Sequence, residues 1–251
     1  MKLDILALAA HPDDIELSCG GTVCLSVKQG YKVGIVDFTR GELGSRGTPE
    51  IRDQESIVAT AVMGIHAREN LGIPDGNIAN SPENQRKVIT AIRRYRPNIM
   101  LINAPTDRHP DHPAAAQLSL SSIFYAGLRM IETTEEDGTP QEPWRPSHVL
   151  HYMQSEMYEP TLVVDISEVW EQRIQAMLAF KSQFHAAQKT AENEDEPQTF
   201  ISTPAFLEWV ESRAKTFGYR IGAKYAEPFL YANMPLGVTN LGDFLKREKT
   251  Y

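Results

Sequence analysis

The runs Asp4 to Ala9 and Ile99 to Ile102 are apolar almost throughout. A strand with one wet face alternates polar and apolar residues, whereas runs like these are covered on both faces, as in a parallel sheet between helices. Tyr31 to Phe38 reads as another such strand and Arg68 to Leu71 as a short one. Helical stretches separate them. Thr22 to Gln29 ends at Gly30, placed as a C′ glycine. Thr48-Pro49-Glu50 and Ser81-Pro82-Glu83 each offer a hydroxyl N-cap, a proline at N1 and an acid in the first turn. The first of these helices runs to about Met63 and stops at Gly64. The second carries the stripe Val88, Ile89, Ile92 and Tyr95 and ends at Pro97. A helix starting near Pro113, with Ala116, Leu120, Ile123 and Phe124 on one face, follows the Ile99 strand.

This alternation predicts an α/β fold: a Rossmann-like, mainly parallel sheet with helices on both faces and right-handed crossovers. In the doubly wound order the first and fourth strands are neighbours, and the crevice opens at their C-terminal ends. Two clusters of similar composition follow those two strands. One is His11-Pro12-Asp13-Asp14-Ile15-Glu16, the other His109-Pro110-Asp111-His112. A turn would explain His-Pro-Asp alone, and an N-cap would explain Asp-Asp alone. Both clusters at strand exits predicted to converge read as one metal site.

A catalytic zinc commonly takes three protein ligands from His and carboxylate and keeps a position for water. His11, Asp14 and His112 supply such a His₂Asp set, which suits Zn²⁺ and Fe²⁺ alike. Asp13 and Asp14 are adjacent, so a tight turn can give them different roles, with Asp13 as general base toward the attacking water. His109, near the metal but not on it, is placed to stabilise an oxyanion as an imidazolium, with Asp111 hydrogen-bonded to it and keeping it charged. His66, His148, His151 and His185 read as structural or exposed.

The remainder completes a single domain over residues 1–251. Thr133 to Pro146 reads as an exposed loop. Val149 to Met153 and Thr161 to Ile166 read as strands, and Ser167 caps a long helix through about Phe184. Ala191 to Gln198 is an acidic, solvated loop. Thr203-Pro204 starts a helix with the stripe Phe206, Trp209, Val210, Ala214 and Phe217, ended by Gly218. No apolar run approaches the ~20 residues that cross a membrane. The opening Met1-Lys2-Leu3-Asp4 lacks a signal-peptide pattern, and two cysteines, Cys19 and Cys24, make no disulfide framework, so a reducing cytoplasm is expected. The net charge of −8, with no dense basic run, disfavours nucleic acid as a partner. Arg93, Arg94 and Arg96 sit at a helix end, where cations suit the dipole.

The segment Ala10 to Glu16 with Cys19-Gly20-Gly21-Thr22, together with His109 to His112, resembles the LmbE-like (PIG-L) N-acetylglucosaminyl deacetylases. The resemblance implies the same roles: His11, Asp14 and His112 on a divalent metal, usually zinc, Asp13 as base and His109 on the oxyanion. Thr39 to Glu42, Gly47 to Arg52, Gln154 to Glu156, Lys181 to Phe184 and Ala226 to Phe229 are similar to the bacillithiol-biosynthesis branch, which deacetylates N-acetylglucosaminyl malate. That likeness implies a small amino-sugar conjugate as partner and a homo-oligomer, trimer or hexamer. It also implies Arg52 and Arg108 as receptors for the malate carboxylates, because an Arg fork suits a carboxylate. Glu42 is a candidate for sugar hydroxyls or for capping its loop, and Tyr225 and Glu227 for closing the site. The alternatives are a deacetylase of another N-acyl glucosamine and a non-enzymatic sugar- or nucleotide-binding module. The second lacks G-x-G-x-x-G after the first strand.

Overall fold

The computed structural model describes residues 1–184, 197–233 and 237. Strand β1 (Ile5–Ala9) leads into a short helix α1 (Asp14–Ser18) and then α2 (Gly20–Lys28). β2 (Val33–Asp37), α3 (Pro49–Met63), β3 (Ala67–Asn70), α4 (Pro82–Tyr95), β4 (Ile99–Ile102) and α5 (Asp111–Ala126) follow. The C-terminal half adds β5 (His148–Tyr152), β6 (Leu162–Asp165), α6 (Trp170–Leu178), α7 (Pro204–Ile221) and β7 (Ala226–Tyr231).

These strands form one sheet in the order β3-β2-β1-β4-β5-β7-β6. β1 pairs in parallel with β2 on one side and β4 on the other, with Ile5 opposite Ile99 and Ala7 opposite Leu101. The expected reversal of strand order between β1 and β4 is therefore present. The period of two along β1 divides the core. Ile5, Ala7 and Ala9 pack with Val23, Ala59, Met63 and Met177 from the helices of one face and with Phe180 just past α6. Leu6 and Leu8 pack with Val88, Ile92, Leu118 and Ile123 from α4 and α5 on the other. Thr48 and Ser81 cap α3 and α4 as expected, accepting from Ile51 N–H and Asn84 N–H.

Several expectations change. α1 lies ahead of the anticipated first helix, and α2 starts two residues early, at Gly20. β7 was not expected as a strand. It runs antiparallel to both β5 and β6, and its Pro228 lies beyond the last residue paired to β5, where a missing N–H costs no ladder bond. The long helix from Ser167 is broken: a 3₁₀ turn (Ser167–Val169) precedes α6, which ends at Leu178. Ser167 Oγ accepts from the N–H groups of Lys224 and Tyr225, and Ser182 N–H and Oγ–H donate to Glu55, so tertiary bonds take over both ends. Gly218 continues α7 to Gly222, whose φ of 71° ends it. A Cβ at 218 would lie 2.7 Å from the Ala223 carbonyl oxygen, so this glycine permits a close approach rather than a stop.

The Thr133 to Pro146 loop is tied down. Arg93 donates to Thr133 Oγ1 and to the carbonyls of Ala126, Leu128 and Ile131 at the end of α5, and Trp144 Nε1 donates to Pro97 O. His185 and most of Ala191 to Gln198 lie outside the described residues. Among the described residues no helix is long and apolar enough to cross a membrane.

Candidate metal centre

The C-terminal ends of β1, β4 and β5 and the loops after β2 and β3 form the rim of a cleft of about 420 Å³, within the ~300–1,000 Å³ range of small-molecule sites. His11 follows β1 by one residue. Asp13 then takes a left-handed conformation, φ 108° and ψ −22°, unusual for a non-glycine residue and costing about 1–3 kcal/mol. This kink separates the adjacent carboxylates. Asp13 Oδ2 accepts from Arg52 Nη2 at 3.0 Å, and Arg52 also holds the Pro12 carbonyl. Asp14 opens α1 and turns the other way. Its Oδ1 lies 3.2 Å from His112 Nε2 and accepts from Gln154 Nε2 at 3.0 Å, and its Oδ2 accepts from Asn103 Nδ2 and His11 N–H, each at 3.1 Å.

The second cluster enters at the start of α5. The rings of His11, His109 and His112 are 4.8 to 5.7 Å apart by centroid. A nitrogen from each lies within 4.8 Å of the others, and the same holds for His11 with carboxylate oxygens of Asp75 and Asp111. His11 Nε2 bonds Asp75 Oδ1 at 3.0 Å and Asp111 Oδ2 at 3.1 Å. His112 Nδ1 bonds Asp107 Oδ1 at 2.8 Å.

Charge is strongly redistributed. Burial works against protonating His11, but its bonds to Asp111 and Asp75 hold its pKa up at about 10. Burial likewise opposes His112, and the charge of Asp14 with the bond to Asp107 lifts it to about 9. Burial pushes Asp13 up to about 7 against the pull of Arg52. Burial acts in the same sense on Asp14, but His112 keeps that carboxyl well below the usual range. A divalent cation fits this donor set. Two imidazoles retain protons only because buried carboxylates face them, and a dication can replace those protons. Each of these imidazoles has a carboxylate on a ring nitrogen, the arrangement that orients metal-binding histidines.

Some assignments are corrected by the geometry. The Asp111 carboxylate bonds His11, not His109. His109 Nδ1 accepts the Asp111 backbone N–H at 3.3 Å, so Nε2 carries its proton. Burial and the nearby His11 and His112 push its pKa down, opposite to the imidazolium expected. Arg52 is buried and lines the cleft; its Nη2 holds Asp13 and the Pro12 carbonyl, while its Nε has no hydrogen-bond partner among the described residues. Arg108 lines the cleft, and among the described residues it pairs with no carboxylate, its guanidinium lying 5.5 Å from the Phe200 ring. Glu42 braces its loop, accepting from Arg40 N–H and Asp75 N–H. Glu227 accepts from Gly21 N–H, Thr22 N–H and Thr22 Oγ1, capping α2, and Tyr225 stacks on Trp170, so neither closes the cleft. His66, His148 and His151 bond Val33 N–H, the Tyr231 hydroxyl and the Asn103 carbonyl, outside the cluster.

Asp75 and Asp107 went unnoticed in the sequence. Asp75 sits in Pro74-Asp75-Gly76, which reads as a turn. Asp107 carried a faint signal, an acid two residues ahead of His109 in a loop proposed to hold ligands.

The fold and this cluster together define an α/β chain with a His/Asp cluster that could hold a metal ion at the switch point of its sheet. A family model, GlcNAc-PI de-N-acetylase (PIG-L), matches residues 6–123, which span both clusters. Residues 6–123 therefore carry a PIG-L family domain, and its homologues include deacetylases. A solved structure of the conserved protein TT1542 from Thermus thermophilus is 37% identical, with a TM-score of 0.80, covering 94% of this chain and 98% of that one. The diacetylchitobiose deacetylase of Thermococcus kodakarensis is 27% identical over 72% of this chain and 70% of its own. A probable N-acetyl-alpha-D-glucosaminyl L-malate deacetylase 2 of Bacillus cereus is 28% identical over 74% of this chain and 86% of its own.

Proposed function

We propose that this protein removes acetate from an N-acetylglucosaminyl conjugate by metal-dependent hydrolysis, with N-acetylglucosaminyl malate of bacillithiol biosynthesis as first candidate. The observation that carries the reading is the convergence of His11, Asp14 and His112 on one cleft wall, with Asp13 turned away from Asp14 by its backbone. In this reading His11, Asp14 and His112 hold the ion, Zn²⁺ first and Fe²⁺ as the alternative. Bound there, a divalent ion supplies Lewis-acid polarisation of the acetamide carbonyl and acidifies the attacking water.

Asp13 takes a proton from that water and returns it to the amide nitrogen as the C–N bond breaks, so acetate and a free amine leave. His109, neutral and protonated at Nε2, donates to the carbonyl oxygen as negative charge develops. Asp111, Asp75 and Asp107 orient His11 and His112. Arg52 steadies Asp13 through Nη2, and Arg108, on the same cleft, receives an anionic aglycone. The malate reading is supported by this unpaired cation and by the Bacillus cereus relative. A single domain, a homo-oligomer and a cytoplasmic setting complete the proposal.

Acetate release from purified, metal-analysed protein tests it, comparing N-acetylglucosaminyl malate with N-acetylglucosamine. Preference for the malate conjugate is expected. Equal, weak release from both would remove malate, and bound metal with no release from any N-acetylglucosaminide would overturn the reading.

A further inference from the structure

We propose that Phe200, backed by Phe206 and Trp209, forms an aglycone subsite for a ring with an apolar face, either a second pyranose or an aryl group. This rests on the deacetylase reading above but not on its malate candidate, and adds a second class of conjugate to it. The cleft has two unlike walls. One is the cluster of His11, Asp13, Asp14, His109 and His112, and the other is apolar, from Phe200, Ile201, Phe206 and Trp209. Phe200 is 54% exposed, a large apolar surface to leave wet at the mouth of a site.

The Phe200 ring is held by its neighbours. It meets Phe206 edge-on at 5.4 Å and Trp209 at 6.5 Å, and Phe206 stacks on Trp209 at 5.6 Å and on Phe184 at 6.0 Å. α7 thus supplies a firm aromatic backing with one face turned into the cleft. An acetamide drawn to the His/Asp wall leaves the group attached to the sugar to occupy the remaining volume. Malate has two carboxylates and no ring, so it would engage Arg108 and leave Phe200 in water. A pyranose face or an aryl ring would cover Phe200. Arg108, 5.5 Å from the same ring, would in addition favour a ring bearing an anionic group.

The test compares kcat/KM of metal-loaded protein on N-acetylglucosamine, N-acetylglucosaminyl malate, N,N′-diacetylchitobiose and an aryl N-acetylglucosaminide. The ring-bearing conjugates should exceed N-acetylglucosamine, mostly through KM. Phe200→Ala should cut that ratio about 3- to 10-fold. Phe200→Leu, which keeps the bulk, should cut it less. The disaccharide and aryl arms decide which ring is preferred. An unchanged ratio in both variants overturns the subsite, as does an equal loss on every substrate, which would mean that Phe200 braces the catalytic wall. Absence of acetate from all four substrates brings down the deacetylase reading. In that event saturable quenching of tryptophan fluorescence by the aryl glucosaminide, weakened in Phe200→Ala, still supports the subsite, and no such quenching overturns it.

Discussion

Glu16 closes the first cluster and, within α1, is fully buried. Its Oε1 accepts from Arg68 Nη1 at 2.6 Å, and the same guanidinium donates to both oxygens of buried Asp37, at 2.7 and 3.1 Å. Arg68→Met keeps most of the side-chain volume and removes the cation between two buried acids. Each charge-assisted hydrogen bond contributes about 1.5–3 kcal/mol. The three do not add, because Glu16 can take up a proton instead. The expected loss at pH 8 is therefore about 3–5 kcal/mol, the usual cost of breaking a buried ion pair from one side. Burial already raises the Glu16 pKa against the pull of Arg68, and without the guanidinium it rises further. An acid whose folded pKa lies above its unfolded value has its full contribution at low pH and loses it as pH rises through the folded pKa. The loss should thus shrink between pH 8 and pH 5. Urea unfolding of metal-free protein, followed by circular dichroism at both pH values, measures it, and Glu16→Gln added to Arg68→Met should recover part of the loss at pH 8. A loss below about 1 kcal/mol at pH 8, or the same loss at both pH values, would refute the argument.

Other consequences concern the cleft. Asp13→Asn should retain metal by elemental analysis while kcat falls about 10²- to 10⁴-fold; loss of the metal as well would show that the two adjacent carboxylates do not divide their work. Asp107→Asn should weaken metal binding about 10- to 100-fold in chelator competition, and wild-type affinity would detach Asp107 from the site. Because His11 and His112 hold protons up to about 10 and about 9 in the metal-free protein, metal uptake near neutral pH should expel them. Affinity should climb with pH until those values are passed. Calorimetry in two buffers of different ionisation enthalpy reads the protons directly, and none released would contradict the ligand set.

What could be read before folding was local. The apolar runs Asp4 to Ala9 and Ile99 to Ile102, with the N-cap grammar at Thr48 and Ser81, gave the alternation of elements. The doubly wound strand order then placed both clusters at one crevice. What could not be read depends on partners far apart in the chain. Asp111 is one residue from His112 and two from His109, yet its carboxylate serves His11, a hundred residues earlier. Arg52 has the chemistry of a substrate fork, but its folded neighbours are Asp13 and Pro12. Glu227 lies in a strand that Pro228 concealed, and it caps a helix 205 residues upstream. In each case the side chain's capacity was legible and its customer was not. The folded surroundings also separate residues of equal chemistry, for Arg52 commits Nη2 to Asp13 and Pro12 while Arg108, beside an exposed aromatic ring, pairs with no carboxylate among the described residues. A residue-type argument for substrate binding therefore holds only once the partners supplied by the fold have been subtracted.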